Sequence, residues 1–185
     1  MTDSPEARLA ALGLELPAVP APLAAYVPAV RTGRYVYTAG QLPMVEGKLL
    51  LTGKVGAQVS PAEAAALART AALNALAAVA SVAGGLSAVT QVVKMTGFVA
   101  SDPGFTGQPQ VVNGASELLL EVFGEAGRHA RSAVAAPVLP FDAPVEIELI
   151  VEVSASPSPA APRSASSDPA APRSASPDPA APPND

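Results

Sequence analysis

This 185-residue sequence predicts an α+β domain, a mixed sheet with two helices on one of its faces. Three observations carry that reading. In Val145–Val153, Val145, Ile147, Leu149, Val151 and Val153 alternate with Glu146, Glu148, Ile150 and Glu152, the period of a strand with one buried face. Residues 60–85 open on Ser60-Pro61-Ala62-Glu63 and close on Gly84-Gly85, the start and stop signals of a long helix. The segments follow one another as β-β-(β)-α-β-α-β-β, which mixes strands and helices without the strict alternation of a parallel α/β fold.

The elements follow in chain order. Ser4-Pro5-Glu6 reads as an N-cap and first-turn proline, opening a short helix that stops near Gly13. A proline-rich connector runs to Pro28. Residues 29–40, AVRTGRYVYTAG, read as a hairpin with its turn at Thr32-Gly33. A further short strand is expected at residues 48–51. In the long helix, Ser60 caps, Pro61 suits the first helical position and Glu63 completes a capping box. Leu67, Ala71, Ala75, Ala78 and Val82 recur at helical spacing, and the wealth of alanine lets this helix approach a sheet closely. Residues 90–100, TQVVKMTGFVA, read as a strand, with a loop at Asp102-Pro103-Gly104. A second helix is expected over 109–123, with Val111, Ala115, Leu118, Leu119 and Val122 facing inward. HARSAV, residues 129–134, reads as a short strand before the loop APVLPFDAP. Two helices cover one sheet face, so the other calls for a second subunit.

From Ser154 the composition changes. PAAPRSAS recurs at ten-residue spacing from Pro159 and Pro169, with a truncated copy at Pro179. Nine of the 21 prolines lie here, without Leu, Ile, Val or an aromatic residue, so nothing repays the entropy of ordering. The expected organisation is a domain over residues 1–153, with the first 24 as helix and connector, and a disordered Pro/Ala/Ser-rich tail over 154–185. Two arginines against three aspartates leave the tail at −1, so most of the net charge of −5 belongs to the domain.

Composition narrows the chemistry. With no cysteine there is no disulfide framework, thiolate zinc site or Cys nucleophile, and one histidine excludes a multi-histidine metal site. An acidic balance does not favour nucleic acid. The N-terminus lacks the basic start and long apolar run of a signal peptide. The longest apolar stretch, residues 70–87, is mostly alanine and carries Asn74, Ser81, Gly84 and Gly85, so no membrane span or membrane partner is expected and a cytoplasmic location is.

Few residues are placed to do chemistry. Arg131 stands among small neighbours on a strand, where its planar fork suits a carboxylate or phosphate, or pairs with a neighbouring strand's glutamate. Glu146 is either a solvated alternation position or a carboxylate that positions water. Gly40, ending a strand in TAGQ, marks a close backbone approach to a ligand or only a bend. Asn113 reads as a ligand donor or an exposed helix residue, and Tyr26 is equally ambiguous. His129 reads as a satisfied strand histidine, and Arg31 and Arg34 as solvent charges flanking the turn.

YVPAVRTGRYVYTAGQLP, KMTGFVAS, VVNGASELLLEVFG and HARSAV…LP…VEIELI, in that order over residues 22–153, resemble the RidA/YjgF family of reactive-intermediate deaminases, also labelled endoribonuclease L-PSP. The resemblance implies a chorismate-mutase-like fold and a homotrimer with sites in the clefts between subunits. It implies an enamine/imine deaminase, a hydrolase that converts 2-imino or 2-enamino acids to 2-oxo acids and ammonia without a cofactor. The small-molecule 2-imino or 2-oxo acid and the other copies are then its partners. By the same resemblance the carboxylate-binding arginine is Arg131, the site glycine Gly40 and the water-positioning glutamate Glu146, with Tyr26 and Asn113 lining the site. Better-known members carry a cysteine two residues after the arginine, here Ala133, whose backbone is left to orient substrate or water. Many have serine before the strand-end glycine, here Ala39, and His129 replaces a common proline. These departures mark a divergent subgroup. The alternative is a non-catalytic module that binds or senses small 2-oxo or amino acids in the same cleft.

Overall fold

The computed structural model describes residues 4–19 and 25–155. Seven strands and three α-helices follow in the order α1 (Pro5–Ala11), β1 (Ala29–Thr32), β2 (Tyr35–Thr38), β3 (Met44–Val45), β4 (Lys48–Leu49), α2 (Pro61–Ala83), β5 (Val89–Ala100), α3 (Gln108–Phe123), β6 (Ala130–Ala136) and β7 (Val145–Val153). Five strands form the main sheet in the order β1-β2-β7-β5-β6. β6 joins β5 in parallel and all other neighbours are antiparallel, so the sheet is mixed.

The helices form where local chemistry starts and stops them. The Ser60 hydroxyl accepts the Glu63 N–H at 3.3 Å while the Glu63 carboxylate accepts the Ser60 N–H at 2.9 Å, a complete capping box. Gly84, at φ 85°, ends α2 in the left-handed conformation. By length and composition α2 is apolar enough to cross a bilayer. In this domain ten of its residues are instead buried, against the sheet and α3. All five residues expected to face inward on α3 are buried; on α2 the expected face is buried except Val82, which is half-buried.

Small residues set the spacing of the layers. A Cβ on Gly97 of β5 would lie 2.5 Å from Val112, and one on Gly114 of α3 would lie 2.0 Å from the Ala65 carbonyl oxygen of α2. Helix α3 therefore rests directly on β5 and crosses α2 at backbone distance. The odd-numbered residues of β7 meet α2 and are fully or almost fully buried. Its even-numbered residues, with Tyr35, Tyr37, Lys94 and Thr96, face the side without helices and are half-buried or exposed.

Two local readings shift. Thr32 pairs with Tyr35, so the β1–β2 turn is Gly33-Arg34, one residue later than expected, with Gly33 at φ 57°. The strand expected at 48–51 is shorter and does not join the main sheet; β4 pairs with β3 in a separate ribbon. Beyond β7, Ser154 donates its N–H to the Ala88 carbonyl at 2.8 Å, and its own carbonyl accepts from Arg31 at 2.9 Å. Arg31 therefore pins the end of β7, and Arg34 pairs with Glu152 at 2.9 Å, where both had read as plain solvent charges. Most of the expected tail, from residue 156 on, lies outside the described residues.

Candidate functional site

Arg131 sits near the start of β6, an edge strand, opposite Met95 of β5, which in turn stands opposite Leu149 of β7. Met95 and Leu149 are both buried under the helices. Residues opposite one another share a face, so Arg131 projects on the helix side. There α3 receives it. Nη1 donates to Asn113 Oδ1 at 2.7 Å and to Ser116 Oγ at 3.1 Å. Asn113 and Ser116 are three residues apart and present both acceptors on one helix face. Nε–H and Nη2, the side-on edge of the fork, hold no hydrogen bond among the described residues, and the side chain is exposed. A hollow of about 260 Å³ opens beside it, lined by Ser116, Leu120, Arg128, His129 and Arg131. Among the described residues, the ion pair with a strand glutamate that the sequence left open is not formed. Ala133, two residues on, lies on the same face, opposite Gly97, and packs against the core.

Glu146 lies elsewhere. It stands opposite Phe98 of β5, which stands opposite Val134 of β6, on the helix-free face. Its carboxylate lies over Gly40: a Cβ there would fall 1.6 Å from Glu146 Oε1. β2 ends at Thr38, so Gly40 lies two residues beyond the strand it was expected to end, and the close approach it allows is made by the glutamate of the same chain. Burial, and then the neighbouring charge of Glu148, push the Glu146 carboxyl above its ordinary range. Gln41 fixes the segment by exchanging backbone hydrogen bonds with Ile147 at 2.9 and 3.0 Å. Asn74, in the middle of α2, donates its amide to the Leu42 and Met44 carbonyls at 2.9 and 3.0 Å and holds the loop after Gly40 in place. The Ala39 N–H to Pro28 carbonyl bond (2.9 Å) continues the β1–β2 register, so Tyr26 sits at the Gly40 end of the hairpin, 59% exposed.

The structure thus assembles two half-sites, Arg131 with Asn113 and Glu146 with Gly40, on opposite faces of the sheet. One ligand cannot touch both within a single chain. Two participants escaped the sequence reading. Asn74 read only as a polar break in an apolar stretch. Ser116 read as an ordinary helix residue, and only its place three residues after Asn113 connects it to the site. His129 is satisfied, as expected: Nδ1 lies 2.6 Å from the Gly127 carbonyl and Nε2 lies 3.1 Å from Ser116 Oγ.

Comparison with known proteins agrees with this architecture. Residues 6–153 match a family model described as "YjgF/chorismate mutase-like, putative endoribonuclease". Protein TCP17 of Trypanosoma cruzi is 44% identical over 149 residues, 80% of this chain and 93% of that protein. The crystal structure of Atu1372, a protein of unknown function from Agrobacterium tumefaciens, is 48% identical, covers 81% of this chain and 92% of its own, and superposes with a TM-score of 0.75. Escherichia coli TdcF, solved with bound serine, is 26% identical over 74% of this chain and 94% of its own, with a TM-score of 0.52. The family model spans the whole sheet and all three helices apart from the first residue of α1, and on that extent the chain belongs to the YjgF (RidA) family, with its chorismate-mutase-like fold.

Proposed function

We propose that the protein is an enamine/imine deaminase that works as a homotrimer, with each site shared between two copies. The observation that carries this reading is the pair of half-sites. One is an arginine fork anchored through Nη1 with its bidentate edge free; the other is a half-buried carboxylate whose proton affinity is raised. A 2-imino acid asks for both. Its carboxylate takes the Nε–H and Nη2–H edge of Arg131. Glu146 accepts a proton from a water as that water's oxygen bonds to the imine carbon. The same proton then passes to nitrogen, which gives a carbinolamine. Glu146 next takes the carbinolamine hydroxyl proton as the C=O bond forms and the C–N bond breaks, and hands it to the departing nitrogen, leaving the 2-oxo acid and ammonia. A carboxyl with raised affinity for protons suits this traffic better than an ordinary one. Because the half-sites face opposite ways, substrate bridges the Arg131 side of one copy and the Glu146 side of the next. No cofactor enters this chemistry.

A second reading is a binding module that holds a small 2-oxo or amino acid on Arg131 without turnover. Ala133 and Ala39, where better-known relatives carry cysteine and serine, favour it, as does the serine bound by TdcF. The family description also names an endoribonuclease, but a net charge of −5 supports a small acid over an RNA ligand. The test uses 2-imino acids, small and bulky, generated in situ by an amino-acid oxidase. Arg131→Ala should abolish acceleration, and Arg131→Lys should recover little, since an ammonium has no planar fork. Glu146→Gln should keep affinity for the 2-oxo acid and lower turnover by about 10²–10⁴-fold. Affinity without acceleration in the unsubstituted protein selects the binding module; the absence of both overturns the two readings together.

A further inference from the structure

We infer that His129 and Ser116 are positioning residues that set the Arg131 guanidinium in the orientation that receives a carboxylate. The inference rests on the assignment of Arg131 as the carboxylate clamp, and adds two residues that do not themselves touch the ligand.

The argument begins at Gly127. A Cβ there would lie 2.2 Å from the Leu119 carbonyl oxygen, so this buried glycine presses against the last turn of α3 and its position relative to that helix is fixed. Its carbonyl meets His129 Nδ1 at 2.6 Å. A carbonyl can only accept, so Nδ1 carries the hydrogen. In the neutral ring Nε2 is then a lone pair. That lone pair faces Ser116 Oγ at 3.1 Å, so the serine hydroxyl donates to the ring. The hydroxyl has one proton. With it committed to His129, the oxygen turns a lone pair to Arg131 Nη1, also at 3.1 Å.

Without the imidazole, a serine inside a helix ordinarily donates back to the carbonyl four residues earlier, here Val112. His129 therefore selects the serine orientation that accepts from Arg131. Asn113 accepts from the same Nη1 at 2.7 Å. Between them the two acceptors fix the plane of a guanidinium on an exposed side chain, and Nε–H and Nη2 remain for the ligand. A long exposed arginine free to sample its rotamers would have to be ordered on binding, which weakens affinity.

The test pairs Ser116→Ala and His129→Phe with Ser116→Thr, which keeps a hydroxyl, and with the double variant. Alanine is a good helix former and phenylalanine keeps the ring without its nitrogens, and thermal unfolding confirms that each variant is folded. Nitrogen NMR of the unsubstituted protein should show neutral His129 as the Nδ1–H tautomer. Order at Arg131 Nε should fall in Ser116→Ala and in His129→Phe, and recover in Ser116→Thr. With a 2-imino acid, both single variants should raise KM about 3–10-fold and leave kcat within about twofold, the signature of a misplaced binding group. The double variant should lose no more than the worse single variant, because the two residues act through one chain of bonds. An Nε2–H tautomer, an Arg131 Nε as ordered without the serine as with it, or additive losses would overturn the inference. If the unsubstituted protein shows neither turnover nor affinity, the proposed function falls, and the tautomer and Arg131 order still decide this inference.

Discussion

Gly40 and Glu146 share one small space, and each constrains what the other can be. Glu146 is held between water and protein, with Glu148 adding like charge, so its folded form binds a proton more readily than the ordinary carboxylate at 4.5. A group with a raised folded value is protonated in both states below 4.5 and costs nothing there. As pH rises through the raised value, the folded state must carry an unwelcome charge and loses stability. Glu146→Gln cannot ionise. It should therefore melt higher than the unsubstituted protein at neutral pH, with the gap closing as pH falls to about 4. Calorimetry across that range reads both the sign and the window. Gly40→Ala tests the same contact from the other side. The atoms in its way are the end of a flexible side chain and not backbone, so the fold should survive with little change in melting temperature. The carboxylate would be displaced, and turnover should fall while 2-oxo acid affinity at Arg131 holds; paired melting and kinetic assays separate the two effects.

At the scale of elements, α3 does the most for the site, because it presents Asn113 and Ser116 to Arg131 and is itself seated by Gly97 and Gly114. Gly114→Ala places a methyl group 2.0 Å from a backbone carbonyl of α2, which cannot swing aside as a side chain can. The helices must separate, at about 1–3 kcal/mol by the usual cost of overpacking. The shift carries Asn113 and Ser116 with it. Chemical denaturation should show the loss, and ligand titration should show weaker 2-oxo acid affinity alongside it. Which elements were legible follows from how local their signals are. The Ser60 capping box and Gly84 stop lie within a few residues of the helix ends they define, and the expected helix formed there. The β3–β4 ribbon has strands of two residues, too short to carry a period, and its turn, Glu46-Gly47, has positive φ at both residues. A glutamate there lacks the Asn-Gly or Asp-Gly signature that ordinarily reveals such a turn. For the site, residue type left Arg131 and Glu146 each with a structural alternative, and the family resemblance singled them out. The face of Glu146 followed from the alternation of β7, but that of Arg131 was not legible: HARSAV has no apolar alternation, and only the register with Met95 shows that Arg131 points toward the helices.

The whole molecule turns on that register. If Arg131 and Glu146 act on one substrate, and one chain holds them on opposite faces, the Arg131 side of one copy must meet the Glu146 side of another. Such a contact joins two different surfaces and so closes only in a ring, which the proposed trimer provides. The helix-free face, with Tyr35, Tyr37 and Val134 exposed among polar groups, offers it apolar area. Light scattering would read the assembly, but a stronger prediction concerns function. Alone, Arg131→Ala should be inactive and Glu146→Gln should keep at most about 1% of the activity. Unfolded together in equal amounts and refolded into mixed assemblies, they should recover activity. A working site then needs an intact Arg131 from one copy and an intact Glu146 from its neighbour. Random mixing supplies that pair at about a quarter of the sites, so about a quarter of the unsubstituted activity should return. Sites built within single chains would return none, because no chain in the mixture carries both groups. Recovery near a quarter would establish that the two faces work across the contact; a mixture that forms mixed assemblies and stays inactive would overturn it.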